Sequence, residues 1–523
     1  MKFLNRIGNR IITSFWYLLF GPMVFFAWTS SNIILGDNAK FGTSTTMVTT
    51  MFIILLIALV VSLFTYPKFR QLLAKIFIQQ QLLTAGCLLV LVVIGQIWFV
   101  TLVHPVSGFD AGMLHYAAVD PKHVLEPGVT AYYSLNQNNL PIMLFMRWLV
   151  DQSGQSSWQF FDYLTIIFVD LSAIFNLISV YLTKKSALGT AMYLHVLWLV
   201  VFPSILMPYT DAWVLPLVSL IWLCYLIMIK TTWPAWTHLL ALVVMAISVT
   251  LTYFIKPSAI IPVIAMVIVA LLDWLLKAHR WTKKGLLTVL VSLLGFGIAA
   301  GGTYWAINRA VQNQTYIAID HSRNIPAIHF AAMGVYDEGG YSEEQAIQMA
   351  VLPTKQQKTD YSVKMLKDRL HQLGVWGYFK FLVMKQRNNT ADGTFGWLKE
   401  GHFFRENQKP SQKGLSNRLK NYIYLYGEHI ADFRFIAQFN WIVLLTIIAL
   451  GWGPQERKIQ VLRLSLIGGF LFLLLFEGGR SRYLIQYLPC LLLLATFSFE
   501  RCVNNIRHLT TYFQPQKQPA TSE

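Results

Sequence analysis

An all-α polytopic membrane protein is the fold class this sequence predicts, and three observations predict it. The chain is 55% hydrophobic and only 13% charged, with a mean hydropathy of +0.49, far from the balance of a soluble domain of 523 residues. Its apolar runs are about 18 to 25 residues long, which matches a hydrocarbon layer roughly 30 Å thick. Its Lys and Arg residues gather on alternate short loops, as they do on the cytoplasmic side of membrane proteins. Nearly all backbone hydrogen bonds must then be closed within helices, because lipid offers no partners.

The first apolar run, 11–35, follows Lys2, Arg6 and Arg10 in the manner of a signal peptide. It is longer than an ordinary signal core and lacks a small-x-small cleavage site, so a retained anchor is expected. Runs at 46–66 and 83–104 come next. A polar loop, 105–159, separates them from runs at 160–183, 188–205, 212–229, 237–254, 258–277 and 285–307. A longer hydrophilic stretch, 308–434, precedes the last three, 435–452, 460–477 and 484–500. The expectation is a bundle of about 12 transmembrane helices.

Threading the chain with its N-terminus inside places Lys68, Arg70, Lys75, Lys184, Lys185, Lys230, Lys277, Arg280, Lys283, Lys284, Arg457, Lys458, Arg463, Arg501, Arg507 and Lys517 on the cytoplasmic side with Lys2, Arg6 and Arg10. Only Lys40, Lys122, Arg147, Lys256, Arg480 and Arg482 fall on the short loops opposite. The net charge of +17 therefore reports orientation and not a nucleic-acid partner. Both termini are expected in the cytoplasm, and the loops at 105–159 and 308–434 outside.

Within the first outer loop, "NNLPIMLFMRWLVDQ" has a cap residue at Asn139, Pro141 in the first turn, and Arg147 and Asp151 among large apolar side chains. It is too short to span and predicts a helix lying along the interface. In the second, "SEEQAIQM" has capping-box spacing at Ser342 and Gln345, and "TDYSVKMLKDRLHQLG" reads as a helix from a Thr359 cap to a Gly374 stop. "GVWGYFKFLVMKQ" is aromatic with basic flanks and is expected to return to the membrane surface. The predicted organisation is thus 1–82 additional spans, 83–307 membrane core, 308–434 a small helical outer domain, and 435–523 the last spans with a cytoplasmic tail. Cys87, Cys224, Cys490 and Cys502 lie in or beside apolar runs with no C-x-x-C spacing, so neither disulfides nor a zinc site is indicated.

Asp110 stands where the third span surfaces. A carboxylate at that depth costs far less than one at mid-membrane, where insertion costs about 2.5–3.5 kcal/mol, so a solvated cap would by itself explain it. Its surroundings suggest more. The segment "FDAGMLHYAAVDPKHVLEPGVTAYYSLNQNNLPIMLF" gathers Asp110, His115, Tyr116, Asp120, Glu126, Tyr132, Tyr133, Asn136, Asn138 and Asn139 beside an interfacial helix.

Taken in order, "FDAGMLHYAA", "YYSLNQNNL", "PYTDAW", "FIKPSAIIP", "HFAAMGVYDEGGYSEEQ", "DGTFGW" and "RSRYLIQYLP" resemble the GT-C superfamily of membrane glycosyltransferases, and within it a group from Gram-positive bacteria. The resemblance covers nearly the whole chain. It implies an inverting transfer of sugar from a polyprenyl-phosphate donor to a hydroxyl outside the membrane. It implies Asp110 as the base that accepts the hydroxyl proton, and Arg480 and Arg482, with Lys256, as cations for the departing phosphate. Asp211 in "PYTDAW" and Glu126 are the acids for acceptor or metal, and Tyr132, Tyr133, Asn138 and Asn139 form the substrate loop.

Each has a simpler reading. Arg480, Arg482 and Lys256 can snorkel to lipid headgroups, Asp211 can cap a helix, and Glu126 and Asp120 can be solvated loop acids. Asp162, Asp170 and Asn176 fall near or within the fourth span and read as structural hydrogen-bonding groups. His104, His115 and His329 have no ligand spacing, so a divalent metal is left open. The partners implied are the bilayer, a lipid-linked sugar, and a cell-envelope glycan, glycolipid or protein as acceptor. The rival reading is a lipid or polysaccharide transporter or flippase, whose charges would lie at mid-membrane and not at one face.

Overall fold

The computed structural model describes residues 2–33, 47–230, 232–276, 282–396, 413–425, 427–453, 456–476 and 478–512, and among them there is no β-strand. Lys40, Trp397 of "DGTFGW", Glu477 and the expected tail beyond 512 lie outside the described residues. Among the described residues, nine helices are long and apolar enough to cross a membrane, or ten if one bent pair is a single span.

Helix α1 (Lys2–Trp28) is built into the core: Trp16 stacks on Phe20 at 4.4 Å and on Phe470 at 6.4 Å. Helix α2 (Met47–Thr65) instead leaves most of its apolar side chains on the surface, where lipid is their solvent. Pro67 ends it, because proline clashes with a preceding helical turn, and α3 (Pro67–Ala74) departs at 106°.

Helix α4 (Gln81–Val103) leads to the end of the bundle that carries α5 (Phe109–Val119), α6 (Pro127–Leu135) and α7 (Leu140–Ser153), the last closed by Gly154 in the left-handed region. Helix α8 (Trp158–Thr183) starts on a Ser157 cap that accepts from the Phe160 N–H.

The expected span at 188–205 is not one helix. Helix α9 (Leu188–Leu199) stops after 12 residues. With Pro203 and Pro208 in the way, the chain runs irregularly and buried before resuming as α10 (Thr210–Trp213) and α11 (Leu215–Met228). Such unwound backbone is tolerated at membrane depth only where protein covers it. Helix α12 (Ala235–Ile255) follows. The expected run at 258–277 is likewise short, a turn at Pro257–Ile260 and α13 (Ile261–Leu276), so the spans expected from sequence outnumber the long ones found.

Helix α14 (Lys283–Gln312) packs chiefly on α12 and is otherwise surface. The hydrophilic stretch then forms α15 (Ala327–Met333), α16 (Glu343–Val351) and α17 (Lys355–Thr390). The capping box falls at Thr354 and Gln357 and not at Thr359. Gly374, at φ 58° and ψ −179°, breaks α17 into two helical runs at the expected stop, while Ser342 makes no side-chain cap and the Gln345 side chain accepts from Tyr361.

Helix α18 (Leu415–Ile423) precedes the last spans, α19 (Ile430–Leu450), α20 (Arg457–Leu475) and α21 (Leu488–Tyr512), with a turn at Ser481–Tyr487 between the last two. Arg463, counted from sequence among the cytoplasmic-side charges, lies within α20, buried over the Trp16 ring.

The interior runs through α8, α11, α20 and α21, with Trp222, Leu466, Phe470 and Leu491 buried. Small polar groups tie it together: Ser172 and Ser219 meet at 2.7 Å between α8 and α11, a contact of about 0.6 kcal/mol in such helix pairs.

Candidate active site

The first turn of α5 sets Asp110. Phe109 takes a left-handed φ of 50°, rare for a residue with a Cβ. One turn on, a side chain at Gly112 would meet the Ser107 carbonyl at 2.9 Å, so the chain doubles back tightly and presents Asp110 at its bend. The Asp110 Oδ1 accepts from the Tyr132 hydroxyl at 2.7 Å and its Oδ2 from the Tyr209 hydroxyl at 3.1 Å. Asn139 closes the ring: its Nδ2 donates to the Tyr132 hydroxyl at 2.7 Å, and its Oδ1 lies 3.4 Å from the Tyr209 hydroxyl.

That employment explains why Asn139 heads α7 without capping it through its side chain. Burial and then the charge of Asp110 push the Tyr132 and Tyr209 hydroxyls well above their ordinary range, so both remain donors. Two phenols and an amide therefore hold one carboxylate by both oxygens.

The unwound stretch before α10 is what delivers Tyr209, and with it Asp211 in the first helical turn, where the helix dipole favours an anion. Asp211 is ion-paired with Lys256, which follows the last turn of α12, and both are buried, at 2% and 9% exposure. The Asp211 Oδ2 makes no hydrogen bond among the described residues.

The Lys256 Nζ lies 5.4 Å from the centre of the Tyr483 ring. The Arg482 guanidinium lies 4.8 Å from the same ring, and its Nη2 donates to the Tyr483 hydroxyl at 3.0 Å. The two halves are joined through Tyr209 and Asp211, two residues apart: Tyr209 bonds Asp110, and Asp211 pairs with the Lys256 that faces Tyr483.

The Arg480 to Arg482 turn is fixed by the hydrophilic domain. Lys385 of α17 is buried and donates to the carbonyls of Gly334 and Phe476 at 2.5 Å and of Leu474 at 3.1 Å, closing the end of α20. The Gly478 N–H bonds the Gly339 carbonyl at 3.1 Å, and the Gly479 N–H the Asn389 Oδ1 at 2.7 Å. A Cβ on Gly340 would stand 2.6 Å from the Gly478 carbonyl, so two glycine pairs, 339–340 and 478–479, interlock backbone against backbone. Arg480 then lies 6.0 Å from the Tyr341 ring.

The other residues singled out from sequence are placed differently. Tyr133 is buried behind Tyr132 and donates weakly to the Met113 carbonyl at 3.4 Å, while Asn138 is exposed and bonds only Asn139. Glu126 is exposed and accepts from Tyr116 at 2.7 Å, on a surface patch that includes the stacked Tyr116 and His123 rings, and among the described residues nothing ties it to Asp110. Asp170 accepts from Gln96 at 3.2 Å, Asn176 lies 3.4 Å from His195, and neither carboxylate oxygen of buried Asp162 has a partner among the described residues. His115 stacks on Trp158 and His329 faces Ser362. Among the described residues no three His, Cys, Asp or Glu side chains gather as metal ligands.

Tyr209, Tyr483, Lys385 and Asn389 were not among the residues chosen from sequence. Of these Tyr209 in "PYTDAW", Tyr483 in "RSRYLIQYLP" and Lys385 in "GVWGYFKFLVMKQ" stood in segments already marked, and Asn389 did not. A small apolar space lined by Leu197, Trp198, Phe395, Trp441 and Leu488 lies apart from this cluster.

The family model described as "Conserved hypothetical integral membrane protein" matches residues 4–503. No curated protein matches the sequence. Among solved structures, the crystal structure of ArnT from Cupriavidus metallidurans bound to undecaprenyl phosphate is similar over 83% of this chain and 81% of its own, at 10% identity and a TM-score of 0.29. That likeness is too faint to carry an argument.

Proposed function

We propose that this chain, which belongs to the family of conserved hypothetical integral membrane proteins, is a GT-C-type inverting glycosyltransferase that moves a sugar from a polyprenyl-phosphate donor to an acceptor hydroxyl outside the cell membrane. One observation carries the reading: the segment Tyr209–Asp211 is tied on one side to Asp110, from the front of the chain, through the Tyr209 hydroxyl, and on the other, through Asp211 and Lys256, to the Tyr483 ring that Arg482 also holds, from its far end. A carboxylate and a guanidinium gathered at one segment of the chain are the two groups such a transfer needs.

In the reaction, Asp110 takes the proton of the acceptor hydroxyl as its oxygen bonds the anomeric carbon. The bond from that carbon to the phosphate oxygen breaks on the opposite face, and its electron pair stays with the phosphate. Arg480 and Arg482 meet the charge that grows there, in a geometry guanidinium suits. Lys256 changes role from the sequence expectation. Paired with Asp211, it holds Tyr483, and through it Arg482, in place. Tyr132 and Asn139 become supports of the base instead of substrate contacts.

The excess of Lys and Arg on the opposite loops puts this site on the outer face, with both termini in the cytoplasm. The acceptor is a cell-envelope glycan, glycolipid or protein. The test is comparison of envelope glycans in cells with and without the chain. Loss of one sugar from an otherwise intact glycan is the expected result. An unchanged glycan profile would overturn the reading, and a lipid-linked sugar trapped on the cytoplasmic side would point to transport instead.

A further inference from the structure

The loop Tyr336–Tyr341, between α15 and α16, is held more firmly than a surface loop requires. The Gly339 N–H closes a turn on the Tyr336 carbonyl at 2.8 Å, with Gly339 at φ 84°, and the Tyr336 hydroxyl donates to Glu344 at 2.8 Å. Gly339 and Gly340 are pressed against Gly478 and Gly479. This anchoring ends at Tyr341, whose side chain is not used in it: the residue is 49% exposed, and among the described residues nothing hydrogen-bonds its hydroxyl.

The ring is not in open water either. Arg480 approaches it at 6.0 Å, and its hydroxyl, raised by burial and then by Glu343 and Asp110, is lowered by Arg480. A half-exposed aromatic face thus stands, on rigid backbone, beside the Arg480 guanidinium of the candidate site.

Sugar rings are the ligands that such a face suits. Their C–H faces carry slight positive charge and lie flat on the negative π face of an aromatic ring, while their hydroxyls stay hydrated or bond polar neighbours. A rigid two-angle side chain loses little entropy in providing that surface. We propose that Tyr341 is a platform on which a pyranose or furanose ring of the substrate stacks beside Arg480. The proposal rests on the transferase reading for its setting and makes the hydrophilic domain part of the substrate site.

The test uses the full-length protein in detergent with methyl glycosides of glucose, galactose, N-acetylglucosamine and ribose, followed by saturation-transfer NMR. At least one glycoside should show transfer to its ring C–H protons, about tenfold weaker in Tyr341→Leu and retained in Tyr341→Trp. Equal transfer in Tyr341→Leu, or none in the unaltered protein, would overturn the platform. Adding undecaprenyl-phosphate glucose separates the two sources of the ring, since displacement of the glycoside assigns the platform to the donor sugar and co-binding assigns it to the acceptor. In cells, Tyr341→Leu should restore about tenfold less envelope sugar than Tyr341→Phe. If no envelope sugar depends on the unaltered chain, the transferase reading falls on its own, and glycoside binding still decides the platform.

Discussion

The Tyr209 hydroxyl donates to the Asp110 Oδ2 at 3.1 Å, joining the unwound stretch before α10 to the first turn of α5. A hydrogen bond to a charged group contributes about 1.5–3 kcal/mol, so Tyr209→Phe should cut sugar transfer by roughly ten- to a hundredfold as the carboxylate loses half of its hold. The check is envelope sugar restored per unit of membrane-inserted protein, with thermal unfolding to show the fold intact. Restoration at the unaltered level would remove Tyr209 from the support of the base.

Lys256 and Asp211 are buried as a pair, and the cost of separating them falls on the partner left behind. Lys256→Ala should therefore destabilise the protein by about 3 kcal/mol, and Lys256→Met with Asp211→Leu by much less, since an apolar pair needs no counter-charge. Melting of the purified protein in detergent, followed by scanning fluorimetry, reads both. Equal losses in the single and double variants would show that the pair is not the unit of stability.

The glycine interlock makes a sharper forecast. Gly340→Ala puts a methyl group 2.6 Å from the Gly478 carbonyl, backbone that has no side chain to swing aside, and should displace the Arg480 turn. Transfer is expected to fall about a hundredfold. Gly301→Ala in α14, where nothing lies within 4 Å, should leave it unchanged. Direct binding of undecaprenyl phosphate by native mass spectrometry should weaken in the first variant only.

His329 gives the hydrophilic domain a pH dependence. Burial lowers it to about 4, against an ordinary 6.5, so between those values the unfolded chain binds more protons than the folded one. Stability is full above about pH 6.5 and declines as the solution is acidified towards pH 4, by at most on the order of 3 kcal/mol. Melting temperature at about pH 7 and about pH 5 should differ in the unaltered chain by clearly more than in His329→Asn. A variant with the same acid sensitivity would place the titrating group elsewhere.

Much of this was legible in the sequence, for a physical reason. Hydropathy and length dictate spanning helices wherever the bilayer is the solvent, and Asp110, Asp211, Lys256, Arg480 and Arg482 could be read as emerging at one face because each follows or precedes an apolar run. What could not be read was who holds whom. Asn139 has the right type and position for a helix cap, yet tertiary contact with Tyr132 and Tyr209 outbids the cap. Lys256 looked like a free cation until the fold brought Asp211 beside it.

The glycine pairs in "DEGGY" and "FEGGR" interlock across more than a hundred residues, which leaves no trace in local pattern. The break after α9 had a signal, Pro203 and Pro208, which hydropathy alone overrode.

The most direct test of the central claim is a comparison of the unaltered chain with Asp110→Asn, each expressed in cells lacking the protein, by the amount of envelope sugar each restores. The amide keeps the size and the hydrogen-bonding reach of the carboxylate but cannot accept the proton. The account predicts full restoration by the first and none by the second at equal membrane levels. Restoration by Asp110→Asn to the same level would contradict it.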